Sequence, residues 1–278
     1  MGLRIGTNLP AMTAARALDK TSHEQAKAYE KLSSGLRVNS AADDAAGLAI
    51  GESMKAQIRS MSQAERNAQD GISLVQTAEG AMTEVSNFAV RLRELAIEAS
   101  TDTVSDHERK LINQEYQSIL SEIDRIANVT TFNGTPLLNG EADQSVLEFH
   151  VGIQNQDADK IKFKVRDYDI KSSALGIDGL SAASRDDARD SIDKIDRAIH
   201  RIAESRASLG AMQNRLQATS NNLGVGRENL AEARSRIMDT DMAQESSELV
   251  RTNILTSAGV AVLAQANQAP SQALKLLT

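Results

Sequence analysis

IDKIDRAIHRIAESRASLGAMQNRLQATSNNLGVGRENLAEARSRI, residues 192–237, is the stretch on which the fold turns. Ile195, Ile202, Leu209, Leu216, Leu223, Leu230 and Ile237 recur at seven-residue spacing without a miss. An apolar residue held to that period marks one seam of a long helix packed along another. The companion position is apolar only at Ile192 and Ile199. Beyond them it reads Arg206, Gln213, Ser220, Arg227 and Arg234, so the second seam is partly polar.

A helix with such a stripe needs a partner of similar length, and the sequence supplies one upstream. From about Asp44 to Ser100 the apolar residues Met54, Ile58, Met61, Ala68, Ile72, Val75, Met82, Val85, Leu92, Leu95 and Ala99 follow spacings of three, four and seven. Gly47, Gly51, Gly71 and Gly80 interrupt it, each costing about 1 kcal/mol relative to Ala in a helix interior. Either close packing compensates or the helix breaks near Gly71. At 1.5 Å per residue, each of the two long patterns is about 80 Å long.

Between them the periodicity changes. Ser105-Asp106-His107-Glu108 is a capping-box sequence, opening a helix that carries Leu111, Ile112, Tyr116, Ile119, Leu120, Ile123 and Ile126 and ends near Asn128. Asn133-Gly134 and Asn139-Gly140 are turn dipeptides. Leu147, Phe149, Val151 and Ile153 then alternate with Glu148, His150 and Gly152. Lys160-Ile161-Lys162-Phe163-Lys164-Val165 alternates again. Two such runs predict a β-hairpin with one apolar face.

The ends are helical as well. A first helix is predicted from about Ala11 to Ser34, stopped by Gly35, with a linker over 36–42 that offers Asn39 and Ser40 as caps. A last helix is predicted from about Asp241 to Asn267, with Pro270 past its end. It is apolar nearly all round between Ile254 and Leu263, which requires burial on every side or insertion in a membrane. The apolar stretch from Ile254 to Ala266 is too short to span a bilayer. Copies of the same chain are the expected cover. The candidate self-assembly residues are Leu18, Leu32, Ile254, Leu255, Val262 and Leu263.

The expected architecture is mainly α: an elongated rod of long antiparallel helices, coiled-coil in character, with a small β-hairpin region in mid-chain. Four segments follow. Residues 1–42 form a terminal helix and linker, 43–180 the outgoing half of the rod with the hairpin, 181–238 the returning helix, and 239–278 the second terminal helix. A rod with adhesive ends makes heterologous contacts, which generate a filament when the rotation does not close.

Composition narrows the function. A net charge of −7 argues against nucleic acid as a partner. The absence of cysteine removes disulfides, thiol catalysis and Cys-ligated zinc. No apolar h-region or small-residue cleavage site follows Met1, so any export is expected to proceed without a cleaved signal peptide. His23-Glu24 and His107-Glu108 begin like a zinc-protease helix, but Lys27 and Leu111 stand where the second histidine is needed. Asp157 with Asp159, and Asp239 with Asp241, suit loop and capping roles. No catalytic, cofactor or metal constellation emerges, and the reading is of a non-enzyme.

Longer motifs carry a family resemblance. Residues 32–47, LSSGLRVNSAADDAAG, and 63–73, QAERNAQDGIS, resemble the N-terminal signature of bacterial flagellins. Residues 209–216, 233–237 and 262–268 resemble the C-terminal one. The resemblance covers about residues 1–140 and 175–278, so the variable outer domains of larger flagellins are expected to be absent. It implies a structural subunit that self-polymerises into a secreted flagellar filament for swimming, exported by the flagellar type III apparatus. An export chaperone on the last helix, a filament cap and hook-junction proteins are the implied partners. Arg91, Leu95 and Glu115 occupy positions resembling those read by the vertebrate leucine-rich-repeat flagellin receptor. A hook–filament junction protein is the alternative, since it shares the terminal helices.

Overall fold

The computed structural model describes residues 7–141 and 146–275. The elements run α1 (Leu9–Ser34), α2 (Ala45–Ala99), α3 (Asp106–Val129), β1 (Thr131–Phe132), β2 (Thr135–Pro136), β3 (Val146–His150), β4 (Lys160–Lys164), α4 (Ser172–Leu175), α5 (Arg185–Met238) and α6 (Met242–Lys275). The fold is mainly α, with long antiparallel helices and a small mid-chain hairpin. Packing divides the chain into two compact units, residues 59–227 and the flanking 7–58 with 228–275. Their limits fall inside α2 and α5, whereas the sequence reading placed its boundaries at the ends of helices.

The core lies in the unit of residues 59–227. There α2 and α5 run antiparallel, as Gly71 against Leu216, Met61 against Gly226, and the ion pairs Arg93–Asp196 (2.6 Å) and Arg227–Glu65 (3.0 Å) show. The α2 stripe is buried from Ala68 to Ala99, and Ile195, Ile202, Leu209 and Leu216 are buried opposite it. The helix does not break at Gly71. A Cβ there would lie 3.2 Å from the Phe149 ring and 3.3 Å from the Leu216 side chain, so close packing compensates for the glycine.

The capping box at the start of α3 forms: Ser105 Oγ accepts from Glu108 N–H, and the Glu108 carboxylate accepts from Ser105 N–H at 2.8 Å. Donation by the Ser105 N–H and hydroxyl holds the Glu108 carboxyl below its ordinary range. Behind it, the buried Arg109 guanidinium donates to Ala99 O (3.0 Å), Thr101 O (2.8 Å) and the Asp106 carboxylate (2.7 Å), closing the C-terminal end of α2.

Asn133 and Gly134 both take positive φ, 50° and 80°, between β1 and β2, as a tight two-residue hairpin turn requires. In the larger hairpin Leu147 faces Phe163 and Phe149 faces Ile161. Phe163 stacks on Tyr168 at 4.7 Å between ring centroids. The expected apolar face is shorter than its alternation: β3 ends at His150, Val151 is buried, and Ile153 is exposed. The chain turns at Gly152, which lies so close to the Asp159 carboxylate that a Cβ would collide with it.

The other unit, residues 7–58 with 228–275, has a much thinner interior. Its buried apolar side chains among the described residues are Ala28, Val38 and Met238. Gly35 ends α1 in the left-handed conformation at φ 70°. Asp44, rather than Asn39 or Ser40, caps α2 through Gly47 N–H at 2.8 Å, while Ser40 donates to Asp43 in the loop. The loop after α1 is stitched to the break between α5 and α6. Arg37 N–H donates to Met238 O (2.7 Å), Thr240 N–H to Gly35 O (3.0 Å), and the Arg37 guanidinium to Ile237 O (2.6 Å). Asp241 opens α6 by accepting from Ala243 and Gln244 N–H groups.

α6 runs beyond its predicted end, through Pro270 to Lys275. A helical proline leaves the carbonyl four residues earlier without its amide partner. That carbonyl, Ala266 O, accepts instead from Asn8 Nδ2 at 2.8 Å. The helix tolerates its proline because α1 supplies the missing donor.

Candidate assembly surface

The terminal helices α1 and α6 pack antiparallel along one seam. The buried or half-buried residues of α1 include Ala11, Ala14, Leu18, Thr21, Gln25, Ala28 and Leu32, alternating by three and four. On α6 the matching set is Glu245, Leu249, Thr252, Thr256, Gly259, Leu263 and Ala266. Both sets are heptad seams built mostly from small and polar residues. Gly259 brings the helices close: a Cβ there would lie 3.2 Å from Leu18 Cδ1. Polar contacts across the seam include Asn8 to Ala266 O, the Gln25 amide to Asn253 Oδ1, and Lys31 to Glu245 at 3.8 Å.

Burial on one side leaves the rest of α6 open. Val250, Ile254, Leu255, Val260 and Val262 are exposed, Ile254 at 63%. Leu9, Met12 and Tyr29 are exposed on α1. The six candidate assembly residues therefore divide. Leu18, Leu32 and Leu263 are half-buried on the seam within one chain, while Ile254, Leu255 and Val262 face outward. An exposed apolar surface of this extent marks an interaction site. The apolar stretch is shorter than a bilayer, but the helix that carries it is not. By length and composition alone, Met242–Gln268 is long and apolar enough to cross a membrane.

The sequence reading placed the two terminal helices together but, of the residues on their seam, singled out only Leu18, Leu32 and Leu263. The seam's signal, the alternation of three and four over Ala11 to Leu32, is muted because large apolar residues occur only at Leu18 and Leu32.

Arg91, Leu95 and Glu115 lie in the other unit. Arg91 pairs with Glu115 (2.9 Å) and Glu94 (3.0 Å) on the exposed surface between α2 and α3. Donation to the Glu115 carboxylate, then to that of Glu94, raises the Arg91 pKa. Leu95 is 1% exposed and packs in the core, so its side chain is not available to a partner. Among the described residues no cluster of three histidine or carboxylate groups could hold a metal ion.

The bacterial flagellin N-terminal helical region matches residues 5–143, and the bacterial flagellin C-terminal helical region matches residues 192–277. A flagellin of Halalkalibacterium halodurans is 46% identical over 273 residues, covering 98% of this chain and 99% of that protein. A Bacillus subtilis flagellin is 42% identical over 99% of this chain and the whole of that protein. A Treponema maltophilum flagellar filament core protein is 40% identical over 98% of this chain and 99% of that protein. A solved Bacillus cereus flagellin, 32% identical, superposes with a TM-score of 0.51 over 57% of this chain and 88% of that one. A solved Vibrio parahaemolyticus chain described as flagellar hook-associated shares the fold at a TM-score of 0.58 and 13% identity, over 71% of this chain and the whole of that one.

Proposed function

The chain belongs to the bacterial flagellin family, a family of structural filament subunits, and we propose that it polymerises through the apolar surface that α1 and α6 leave open. It is a structural subunit of the flagellar filament, the organelle of swimming. The observation that carries the assembly mechanism is the exposure of Ile254, Leu255 and Val262 on a helix that packs against α1 along one side. Burying such side chains against neighbouring copies contributes about 1.5–3 kcal/mol each. The relatives that match nearly end to end are flagellins and filament core proteins, so a hook-junction role is the weaker reading.

Seeded polymerisation followed by electron microscopy tests the mechanism. The full chain is expected to form long tubular filaments. A chain lacking residues 241–278, and the single variant Ile254→Asp, are expected to remain unassembled. Filaments of normal length from the truncated chain would overturn it.

The same surface supports a chaperone site before assembly. We assign export chaperone binding to α6 from Asp241 onward, with export proceeding without signal cleavage. Co-purification of the chaperone with a chain lacking 241–278 would remove that assignment. Cap and hook-junction proteins are proposed to meet the same terminal helices at the filament ends. Recognition by the leucine-rich-repeat receptor is carried by Arg91 and Glu115 alone, since Leu95 is core. Undiminished receptor signalling by the double variant Arg91→Ala, Glu115→Ala would end that reading.

A further inference from the structure

The apolar part of the α1–α6 seam carries little information about register. α6 is apolar nearly all round, and the seam is lined largely by alanine, threonine and glycine, whose small side chains offer similar holes at successive turns. Hydrophobic contact is non-directional, so such a surface accepts a partner slid by a turn or a heptad at small cost. Polar groups inside a helix seam do discriminate, because each has one correct partner and a slipped register leaves it buried and unpaired.

Three of the polar contacts that cross this seam agree on one register. The first is Asn8 Nδ2 to Ala266 O, a carbonyl free to accept because Pro270 has no amide hydrogen to offer it. The second is the Gln25 amide to Asn253 Oδ1, in the middle of the pair. The third is Lys31 to Glu245 at 3.8 Å, with both side chains largely covered. A slip of one heptad separates all three at once.

We propose that Asn8, Gln25 with Asn253, and Lys31 with Glu245 are register-determining residues. They select one alignment of α1 on α6 and so fix the spacing of the exposed apolar side chains offered to the next copy. The consequence for the filament rests on the assembly reading above; the register itself does not.

The absence of cysteine makes the register directly measurable in the full chain. A Cβ at Gly259 would lie 3.8 Å from Leu18 Cβ, within the range of a disulfide. The pair Leu18→Cys with Gly259→Cys reports the native alignment. Leu18→Cys with Leu263→Cys, or with Ala266→Cys, reports slips of four or seven residues. Each pair is oxidised with diamide, in the free chain and in seeded filaments, and intramolecular bridges are separated from dimers by gel mobility.

With both amides in place, the 18–259 bridge is expected to exceed either slipped bridge by about ten-fold or more. In a background that removes all three contacts, Asn8→Ala with Gln25→Leu, Asn253→Leu and Lys31→Met, the slipped bridges are expected to rise to comparable yield. Exchange of the amides, Gln25→Asn with Asn253→Gln, is expected to restore the native bridge. Persistence of 18–259 as the sole bridge in the background that lacks all three contacts would overturn the proposal, because apolar packing would then suffice. Loss of every bridge in that background would overturn it too, since the contacts would be holding the pair together and not choosing its alignment. Native 18–259 bridging without filaments would instead tell against the assembly reading.

Discussion

The four glycines of α2 are indistinguishable in sequence, and their surroundings separate them. A Cβ at Gly80 meets nothing within 4 Å, so Gly80→Ala gains helix propensity without a clash and is expected to stabilise the chain by about 1 kcal/mol. Gly71 faces Phe149 and Leu216, and Gly51 lies against the buried Met238 side chain, 2.5 Å from Sδ for an added Cβ. Gly71→Val overpacks that contact and is expected to destabilise by about 1–3 kcal/mol. Chemical denaturation of the two variants beside the unsubstituted chain checks both signs; equal shifts would refute the distinction. Leu95 shows the same limit of residue-level reading. Its place in the apolar stripe and its place in a receptor-like motif were both legible, and only packing shows that the first excludes the second.

At the scale of elements, caps were the most legible feature. The Ser105–Glu108 box follows from residue types three apart, and it forms as written. Glu108 is held below its ordinary 4.5 by the Ser105 N–H and hydroxyl, and Asp102 below 3.8 by the Arg185 guanidinium. A depressed carboxyl stabilises the fold fully above its unfolded value, and that contribution is lost as pH falls through the lowered folded value. Thermal stability is therefore expected to decline as pH drops below about 4.5, and Glu108→Gln to flatten part of that decline. Melting curves by circular dichroism between pH 7 and pH 2 measure this; an unchanged slope in Glu108→Gln would refute the cap's share. Arg109 was not legible, because nothing in its sequence position shows that α3 folds back over the carbonyls of Ala99 and Thr101. Arg109→Met leaves those carbonyls without their charged donor and is expected to cost about 3 kcal/mol. A midpoint shift of only a few tenths of a kcal/mol in denaturant would count against it.

At the scale of the whole molecule, the balance between buried and exposed apolar residues differs between the two units. Residues 59–227 enclose a continuous core, whereas the terminal unit buries little and exposes much. Ile254→Asp is accordingly expected to leave the thermal transition of the free chain nearly unchanged while abolishing seeded polymerisation. A large loss of stability in the unassembled variant would mean that Ile254 serves the fold of the single chain.

The sequence by itself determined the mainly helical class, the two long partners, the mid-chain hairpin and the assembly role. Those features rest on periodicity, caps and turn residues, which act between neighbours along the chain, and on long signatures at both ends. Only the tertiary structure decided that α2 passes unbroken through Gly71, that α6 continues through Pro270, and that Asn8, Gln25 and Lys31 meet their partners across the terminal seam. Each depends on a group more than a hundred residues away. Local propensity cannot register that group, and packing brings it within reach of a hydrogen bond or a van der Waals contact.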